Sequence, residues 1–381
     1  MNIGFDGKRF FHNNTGLGNY SRTLVGGLAQ FYPEHEYYLF NPKPSRAFLK
    51  PHNSNIHEVL PGNAWSRKLP ALWRTSGIKK DLKDQRIALY HGLSHEIPVG
   101  MGRTSIPTVV TMHDLIFERY PAQYKKLDIL IYRRKFKHAC RHADRIIAIS
   151  KQTADDLVEL YGVDPGKIDI CYQSCHPAFS ETFGSKEIET LRKSLDLPPH
   201  FFLYVGSIIE RKNLLLICKA LYSIKDGLPL VVIGSGRGYK DKVKDYIVSK
   251  GLEQKIIFLS ERPDFATAVQ TPQAMAKIYR MAKAMIYPSL YEGFGIPVLE
   301  ALSSGVPVIT SNVSCLPETG GDAALYIDPH SVEDLVAALQ RLSADDAFRN
   351  ELIEKGYRQA ARFNLKDCSA AIMEVYQKLL P

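Results

Sequence analysis

The fold of this 381-residue chain is constrained most by a series of short, unbroken apolar runs. They read "NIGFD", "IALYHG", "PTVVTMHD" and "RIIAIS", then "FFLYVGS", "LPLVVIGSG", "KIIFLS", "AMIYPS", "VPVITS" and "AALYID". Strands with one wet face would alternate apolar and polar residues. These runs are continuous instead, as expected of strands covered on both faces in a parallel sheet. Helical patterns separate many of them. Tyr20, Leu24 and Leu28 share one face of "NYSRTLVGGLAQF", and in "SVEDLVAALQRL" Ser331 is placed to cap a stripe of Leu335, Leu339 and Leu342. Such alternation predicts a doubly wound α/β architecture. The pattern runs twice, and the polar stretch "ETFGSKEIETLRKSLDLPPH" puts a boundary near residues 176–185. Two α/β domains flanking a cleft are therefore expected.

Composition narrows the function classes. No run of about 18 apolar residues exists, so no transmembrane helix is expected. "MNIGFDGKRFF" lacks the basic segment and apolar stretch of a signal peptide, and six cysteines in no regular array fit free thiols in a reducing, cytoplasmic setting. Cys171 and Cys175 are spaced C-x3-C, but no second Cys/His pair accompanies them, so no metal site is expected. Residues 1–176 carry 25 Lys+Arg against 16 Asp+Glu, which holds the whole net charge of +9. That asymmetry points to nucleic acid, an anionic membrane surface or a phosphorylated substrate. Nothing resembles a nucleic-acid module, so no nucleic-acid partner is expected.

In doubly wound sheets ligands bind outside the carboxyl ends of the strands, so residues just after each strand matter most. After "NIGFD", Gly16 and Gly18 precede a helix whose N-terminus offers free N–H groups to an anion. After "PTVVTM" stand His113 and Asp114; the imidazole is placed to hydrogen-bond a substrate hydroxyl or carry a proton near neutral pH. After "FFLYVGS", Arg211 and Lys212 open an apolar helix, where two adjacent cations suit a diphosphate. "VVIGSGRGY" looks like a dinucleotide fingerprint, but no clear helix with an acidic residue at the required distance follows. Gly234 and Gly236 are read as a tight turn near the ligand's base. In "YPSLYEGFGIPVLEA", Pro297 fits a first helical position, and free N–H groups around Ile296, Val298 and Leu299 form an anion site. Glu300 is placed to accept both hydroxyls of a ribose, and Glu292 to reach a different group such as sugar hydroxyls.

Taken in order, these segments resemble a retaining glycosyltransferase of family 4 with the two-domain GT-B fold. The E-x7-E spacing of Glu292 and Glu300 in "YPSLYEGFGIPVLEALSSGVPVITS" is the most specific part. "GLGNY", "TMHDL", "IAIS" at Ser150, and "YVGSIIERKNL" with Ser207, Arg211 and Lys212 support it. The resemblance implies metal-independent transfer of a hexose from a nucleoside diphosphate sugar, a GDP or UDP sugar, with retention. It implies an acceptor-binding Rossmann-like domain over 1–178 and a nucleotide-sugar-binding one over 179–363. A C-terminal helix over 364–381 would cross back to the first. By the same analogy Arg211 and Lys212 neutralise the leaving diphosphate, and Ser207, like Gly16 and Gly18, belongs to the donor-binding set. Glu292 with Gly293, Phe294 and Gly295 holds the sugar, Ile296, Pro297 and Val298 lie beside the phosphates, Glu300 holds the ribose, and His113 faces the sugar. The "TMHDL" form leans toward GDP-mannose and bacterial polysaccharide assembly. Two segments depart from the family pattern: Ser303-Ser304 replaces a small Ala-Cys pair, and "LSERPDFATAVQTPQAMAKIYRMA" is longer than usual beside the base.

Two stretches hold much of the positive charge. In "AWSRKLPALWRTSGIKK", Trp65, Leu69, Leu72 and Trp73 follow helical spacing; in "QYKKLDILIYRRKFKHACRHADR", Lys126, Arg133, Lys137 and Arg141 fall on one stripe. Basic faces with apolar anchors suit anionic lipid at the inner face of a membrane, and a polyprenyl-diphosphate-linked or glycan acceptor explains the same charge. Competing readings are an epimerase or phosphorylase of the same fold, a non-catalytic sugar-nucleotide binding protein, and an NAD oxidoreductase.

Overall fold

A computed structural model describes residues 1–45 and 53–380. The chain divides into two compact units, Met1–Ser174 with Phe363–Pro381, and Cys175–Arg362. Each is a parallel sheet wrapped by helices. In the first unit β1 (Asn2–Asp6), β2 (Glu36–Phe40), β3 (Ile56–Val59), β4 (Leu89–Gly92), β5 (Thr108–Met112), β6 (Arg145–Ala148) and β7 (Ile168–Ile170) lie in the order β3-β2-β1-β4-β5-β6-β7. In the second, β8 (Phe202–Val205), β9 (Leu230–Ile233), β10 (Ile256–Phe258), β11 (Ala284–Tyr287), β12 (Val308–Ser311) and β13 (Ala324–Ile327) lie in the order β10-β9-β8-β11-β12-β13. Two interruptions of sequential order follow. Strand β1 pairs with β4, and β8 with β11. These are the topological switch points, where loops leaving adjacent strands diverge and a ligand fits.

The apolar runs are buried along their whole length in β4, β5, β9, β11 and β12, which is why they showed no alternation. Strands β2, β3 and β7 fell outside the ten runs. Strand β2 alternates half-buried and buried residues, and β3 and β7 are short, partly exposed edge strands whose apolar residues are interrupted by His57 and Glu58 and by Asp169. The helix Leu365–Gln377 packs on the helix Gly16–Phe31. Its Ile372, Met373, Val375 and Tyr376 join Ile3, Phe5, Leu24 and Leu28 in one core. The contact is close because Gly27 has no side chain; a Cβ there would sit 2.5 Å from Ser369 Oγ.

The first boundary falls at Ser174, before the expected 178, because the turn Pro177–Ser180 is tied into the second unit. Ser304 Oγ donates to the Phe179 carbonyl at 3.3 Å, and Arg280 to the Glu181 carbonyl at 2.6 Å. The Ser303-Ser304 departure thus serves packing. Among the described residues, no helix is long and apolar enough to cross a membrane.

Candidate active site

The loops leaving β8 and β11 meet at the second unit's switch point, and together they build a charged cluster. After β8 the chain turns through a 3-10 segment, Glu210–Lys212, and only then, past Asn213 in a left-handed conformation (φ 58°), enters the helix Leu214–Ser223. Arg211 and Lys212 therefore precede the helix rather than opening it as expected. The Arg211 carbonyl is fastened to the β11 loop by Leu290 N–H at 2.8 Å and Ser289 Oγ at 3.1 Å.

Glu292 is the hub. Its Oε1 lies 2.8 Å from Arg211 Nη1 and 3.1 Å from Lys212 Nζ, and accepts from Ser289 Oγ at 2.7 Å and Tyr287 Oη at 2.9 Å. Arg211 also donates to the Tyr291 carbonyl, and Lys212 to the Tyr287 hydroxyl. Lys212 Nζ sits 4.7 Å from the centre of the Tyr287 ring, a cation–π contact. Burial alone would push the Glu292 carboxyl up. Lys212, Arg211, Ser289 and Tyr287 together outweigh that and hold it down at about 2, so it is an anion at any physiological pH. Glu292 thus lies beside both cations. Burial shifts the Lys212 ammonium down, against the pull of Glu292 and with the push of Arg211.

The backbone of Glu292 is clamped by Ser314, a non-glycine residue at φ 57°. Its Oγ accepts from the Glu292 N–H at 3.0 Å and donates to the Glu292 carbonyl at 2.9 Å. Such a conformation costs about 1–3 kcal/mol and persists where surroundings impose it. Neither Ser314 nor Tyr287 and Ser289 was assigned a role from sequence. For Tyr287 and Ser289 the only signal was their nearness to the E-x7-E motif, and for Ser314 there was none.

The helix Ile296–Ser303 starts one residue before Pro297, which is second rather than first. Gly295 caps it at φ 97°, where a Cβ would also meet Leu316 at 3.0 Å, so glycine is required. The expected anion site is smaller than foreseen. The N–H groups of Val298 and Leu299 bond back to the Gly295 carbonyl at 2.9 and 3.3 Å, and Pro297 has none. That leaves Ile296 as the first-turn donor for a ligand. Phe294 is buried, with its carbonyl held by Thr319. Glu300, half-buried on the same helix, accepts from Tyr279 Oη at 2.7 Å. Crowding by protein atoms pushes its carboxyl up to about 7, with Tyr279 and Lys212 pulling it back. Lys212 therefore acts on both glutamates.

Ser207 is exposed, and its carbonyl accepts from Tyr204 Oη at 3.0 Å. Gly234 and Gly236 serve close packing: a Cβ would lie 1.8 Å from the Gly206 carbonyl oxygen and 2.2 Å from that of Ile208. They let the β9 loop lie against the β8 loop that carries Arg211.

His113, Gly16 and Gly18 belong to the other unit. Gly16 begins its helix, and Gly18 makes room for Asn13, whose carbonyl oxygen would lie 1.9 Å from a Cβ. His113 is buried at the end of β5, and its Nε2 lies 2.9 Å from the Leu93 carbonyl, so Nε2 carries the proton. Burial, then neighbouring His95, pushes the imidazole down to about 3. The expectation of a proton carrier near neutral pH is therefore corrected. The neutral ring offers Nδ1 as an acceptor only. Asp114 Oδ1 accepts from the Ile116 N–H at 3.1 Å, a turn-capping role.

Comparison with known proteins covers both halves. A family model described as "Glycosyltransferase Family 4" matches residues 14–176, and one described as "Glycosyl transferases group 1" matches residues 186–359. The O-antigen chain mannosyltransferase B of Escherichia coli is 28% identical over 382 residues, covering 96% of each chain. The O-antigen chain mannosyltransferase RfbU of Salmonella typhimurium is 26% identical over 248 residues, 65% of this chain and 63% of its own. The structure of Anabaena Alr3699/HepE in complex with UDP-glucose has a TM-score of 0.77 at 16% identity, covering 99% of this chain and 100% of that one, a likeness of fold. With both halves matched and the two parallel sheets in place, the chain belongs to glycosyltransferase family 4 and has the GT-B fold.

Proposed function

We propose that this glycosyltransferase moves a hexose, mannose from GDP-mannose as the leading choice, from a nucleoside diphosphate sugar to a glycan or polyprenyl-diphosphate-linked acceptor, with retention and without a metal ion. The observation that carries this is the pair of adjacent cations, Arg211 and Lys212, held beside Glu292 at the switch point. Two such cations suit a diphosphate. Glu292 then faces the sugar hydroxyls with the backbone of Gly293, Phe294 and Gly295, Glu300 faces the ribose, the Ile296 N–H faces the phosphates beside Pro297 and Val298, and His113 Nδ1 accepts from a sugar hydroxyl. The mannose preference follows the O-antigen mannosyltransferases among the relatives, and a nucleotide-sugar donor fits the UDP-glucose of the Anabaena structure.

Retention can arise by double displacement, which requires a carboxylate nucleophile. Glu292 suits that poorly, being fixed by four donors and strongly acidic. Asp114 is occupied in a turn. Front-face attack is favoured instead: the departing phosphate takes the acceptor's proton while Arg211 and Lys212 stabilise its charge.

Lipid contact at the inner face of the membrane is part of this reading. Trp65, Leu69 and Leu72 are exposed beside Arg67 and Lys68, and Leu127, Leu130 and Ile131 beside Lys126 and Arg134. Trp73 does not take part, since it is buried with Phe40 and Ile78. Arg133 is paired with Glu118, and Lys137 lies over Tyr161.

Thermal unfolding with GDP, UDP, dTDP and ADP, each with magnesium and with EDTA, tests the donor reading. A ligand at 100 times its Kd adds about 2.7 kcal/mol. A shift with one base, unchanged by EDTA, is expected; no shift with any nucleotide refutes the donor site. An epimerase would turn over the donor alone, and a silent binding protein would shift without turnover.

A further inference from the structure

A chain of buried polar side chains crosses the first unit. Tyr376 Oη, in the helix Leu365–Gln377, lies 2.7 Å from His91 Nδ1. His91 Nε2 lies 2.8 Å from Thr111 Oγ1, which is 3.0 Å from Tyr20 Oη. Tyr376, His91 and Thr111 have no exposed surface and Tyr20 has 7%. Apolar residues of the same volume would fill this core at less cost in desolvation, so a continuous polar chain calls for a reason.

Its proton inventory gives it a direction. Burial keeps His91 neutral, so one ring nitrogen donates and the other accepts. The Tyr376 hydroxyl has no other partner among the described residues, so its proton goes to Nδ1. Nε2–H then donates to Thr111. Four protons serve three hydrogen bonds, and this arrangement puts the surplus one at the Thr111–Tyr20 end, where Tyr20 borders a crevice with Tyr172, Gln173 and Cys368. The opposite arrangement would strand it on fully buried Tyr376.

The chain ends against a residue of the proposed site. The Tyr20 ring meets the His113 ring edge-on, centroids 4.6 Å apart, and His95 meets it at 5.1 Å. We propose that Tyr376, His91 and Thr111 are positioning residues: they fix Tyr20, and Tyr20 fixes the plane of His113, so the C-terminal helix sets the geometry of the reacting site. The kinetic part of this rests on His113 facing the donor sugar, as proposed above. The structural part does not.

The test uses full-length protein labelled with 15N-histidine. In Tyr376→Phe the resonances of both His91 and His113 shift, although His113 lies beyond three hydrogen bonds and a ring contact. Thr111→Val shifts His113 likewise. Ser369→Ala, on the same helix, lowers Tm without moving His113. With GDP-mannose as the probe donor, Tyr376→Phe and Tyr20→Phe each lower kcat about fivefold to tenfold at unchanged KM, the scale of one hydrogen bond. The double variant is no slower than the worse single one. Unchanged His113 resonances in both Tyr376→Phe and Thr111→Val overturn the proposal. Moved resonances with full kcat overturn its kinetic part. If wild type consumes no GDP-mannose, that counts against the donor choice, and the spectra still decide the positioning role.

Discussion

Replacing Glu292 with glutamine keeps the side chain's shape and removes its charge, which isolates what the carboxylate does for the two cations beside it. The folded state holds this carboxyl at about 2, against an ordinary 4.5. At about 1.4 kcal/mol per pKa unit, the difference is worth roughly 3–4 kcal/mol at neutral pH. Breaking a buried ion pair by removing one partner typically costs about 3–5 kcal/mol, an independent route to the same size. For a unit of this length each kcal/mol moves Tm by roughly 2–4 °C, so Glu292→Gln is expected to lower Tm by about 6–15 °C at pH 7. The pH dependence has a definite sign. Because the folded pKa lies below the unfolded one, the stabilisation is complete above about 4.5 and is lost as pH falls toward 2. The variant lacks this dependence and converges on wild type in acid. Charge balance adds a second effect. With Arg211 and Lys212 released, pyrophosphate should raise the Tm of the variant more than that of wild type. Differential scanning fluorimetry across pH, with and without pyrophosphate, reads all of this. A Tm within 2 °C of wild type, together with an equal pyrophosphate shift, would refute the claim that Glu292 neutralises the cations (about 1 kcal/mol or less).

Other outcomes follow from the same geometry. Lys212→Ala should cut turnover by about a hundred- to a thousand-fold while the fold survives, and near-normal turnover would remove Lys212 from the mechanism. Glu300 is pushed up to about 7, so its ionised form grows as pH rises through that value and should strengthen its grip on a ribose diol. Calorimetric nucleotide affinity should therefore rise from pH 6 to pH 8, and Glu300→Gln should flatten the profile; a flat wild-type profile sinks the role. Gly295→Ala should lose about 1–3 kcal/mol in denaturant unfolding, because it combines a φ of 97° with a clash at Leu316. Replacing Leu130 and Ile131 with serine should weaken sedimentation with anionic vesicles at low salt, and no wild-type binding would dismiss the lipid contact.

The parallel architecture was legible because β5, β9 and β11 are buried on both faces, leaving a signature of unbroken apolar runs. Arg211, Lys212 and Glu292 were legible because each follows a strand within a recognisable spacing. What sequence order hides is which groups converge. Glu292 and Ser314 are 22 positions apart, and only the fold shows one clamping the other. The helix start at Ile296 spent the Val298 and Leu299 donors on Gly295, a matter of one residue that the apolar pattern leaves open. His113 was found by its place at a strand end, whereas its acidity depends on burial and on His95, which come from other parts of the chain. Strand β2 was overlooked because alternate residues in "EYYLF" are half-buried, which the search for continuous runs passes over.

The helix Leu365–Gln377 has a consequence for the order in which the molecule is made. The unit spanning Cys175–Arg362 is one unbroken stretch and can close its core once Arg362 has left the ribosome. The unit that begins at the first strand cannot, since Tyr376, Met373 and Ile372 belong to the same core as Ile3 and Phe5. The strands β1 and β2 thus wait for packing partners that follow the whole second unit. During that interval the face of the helix Gly16–Phe31 that receives Ser369 and Leu365 at Gly27 lacks its cover.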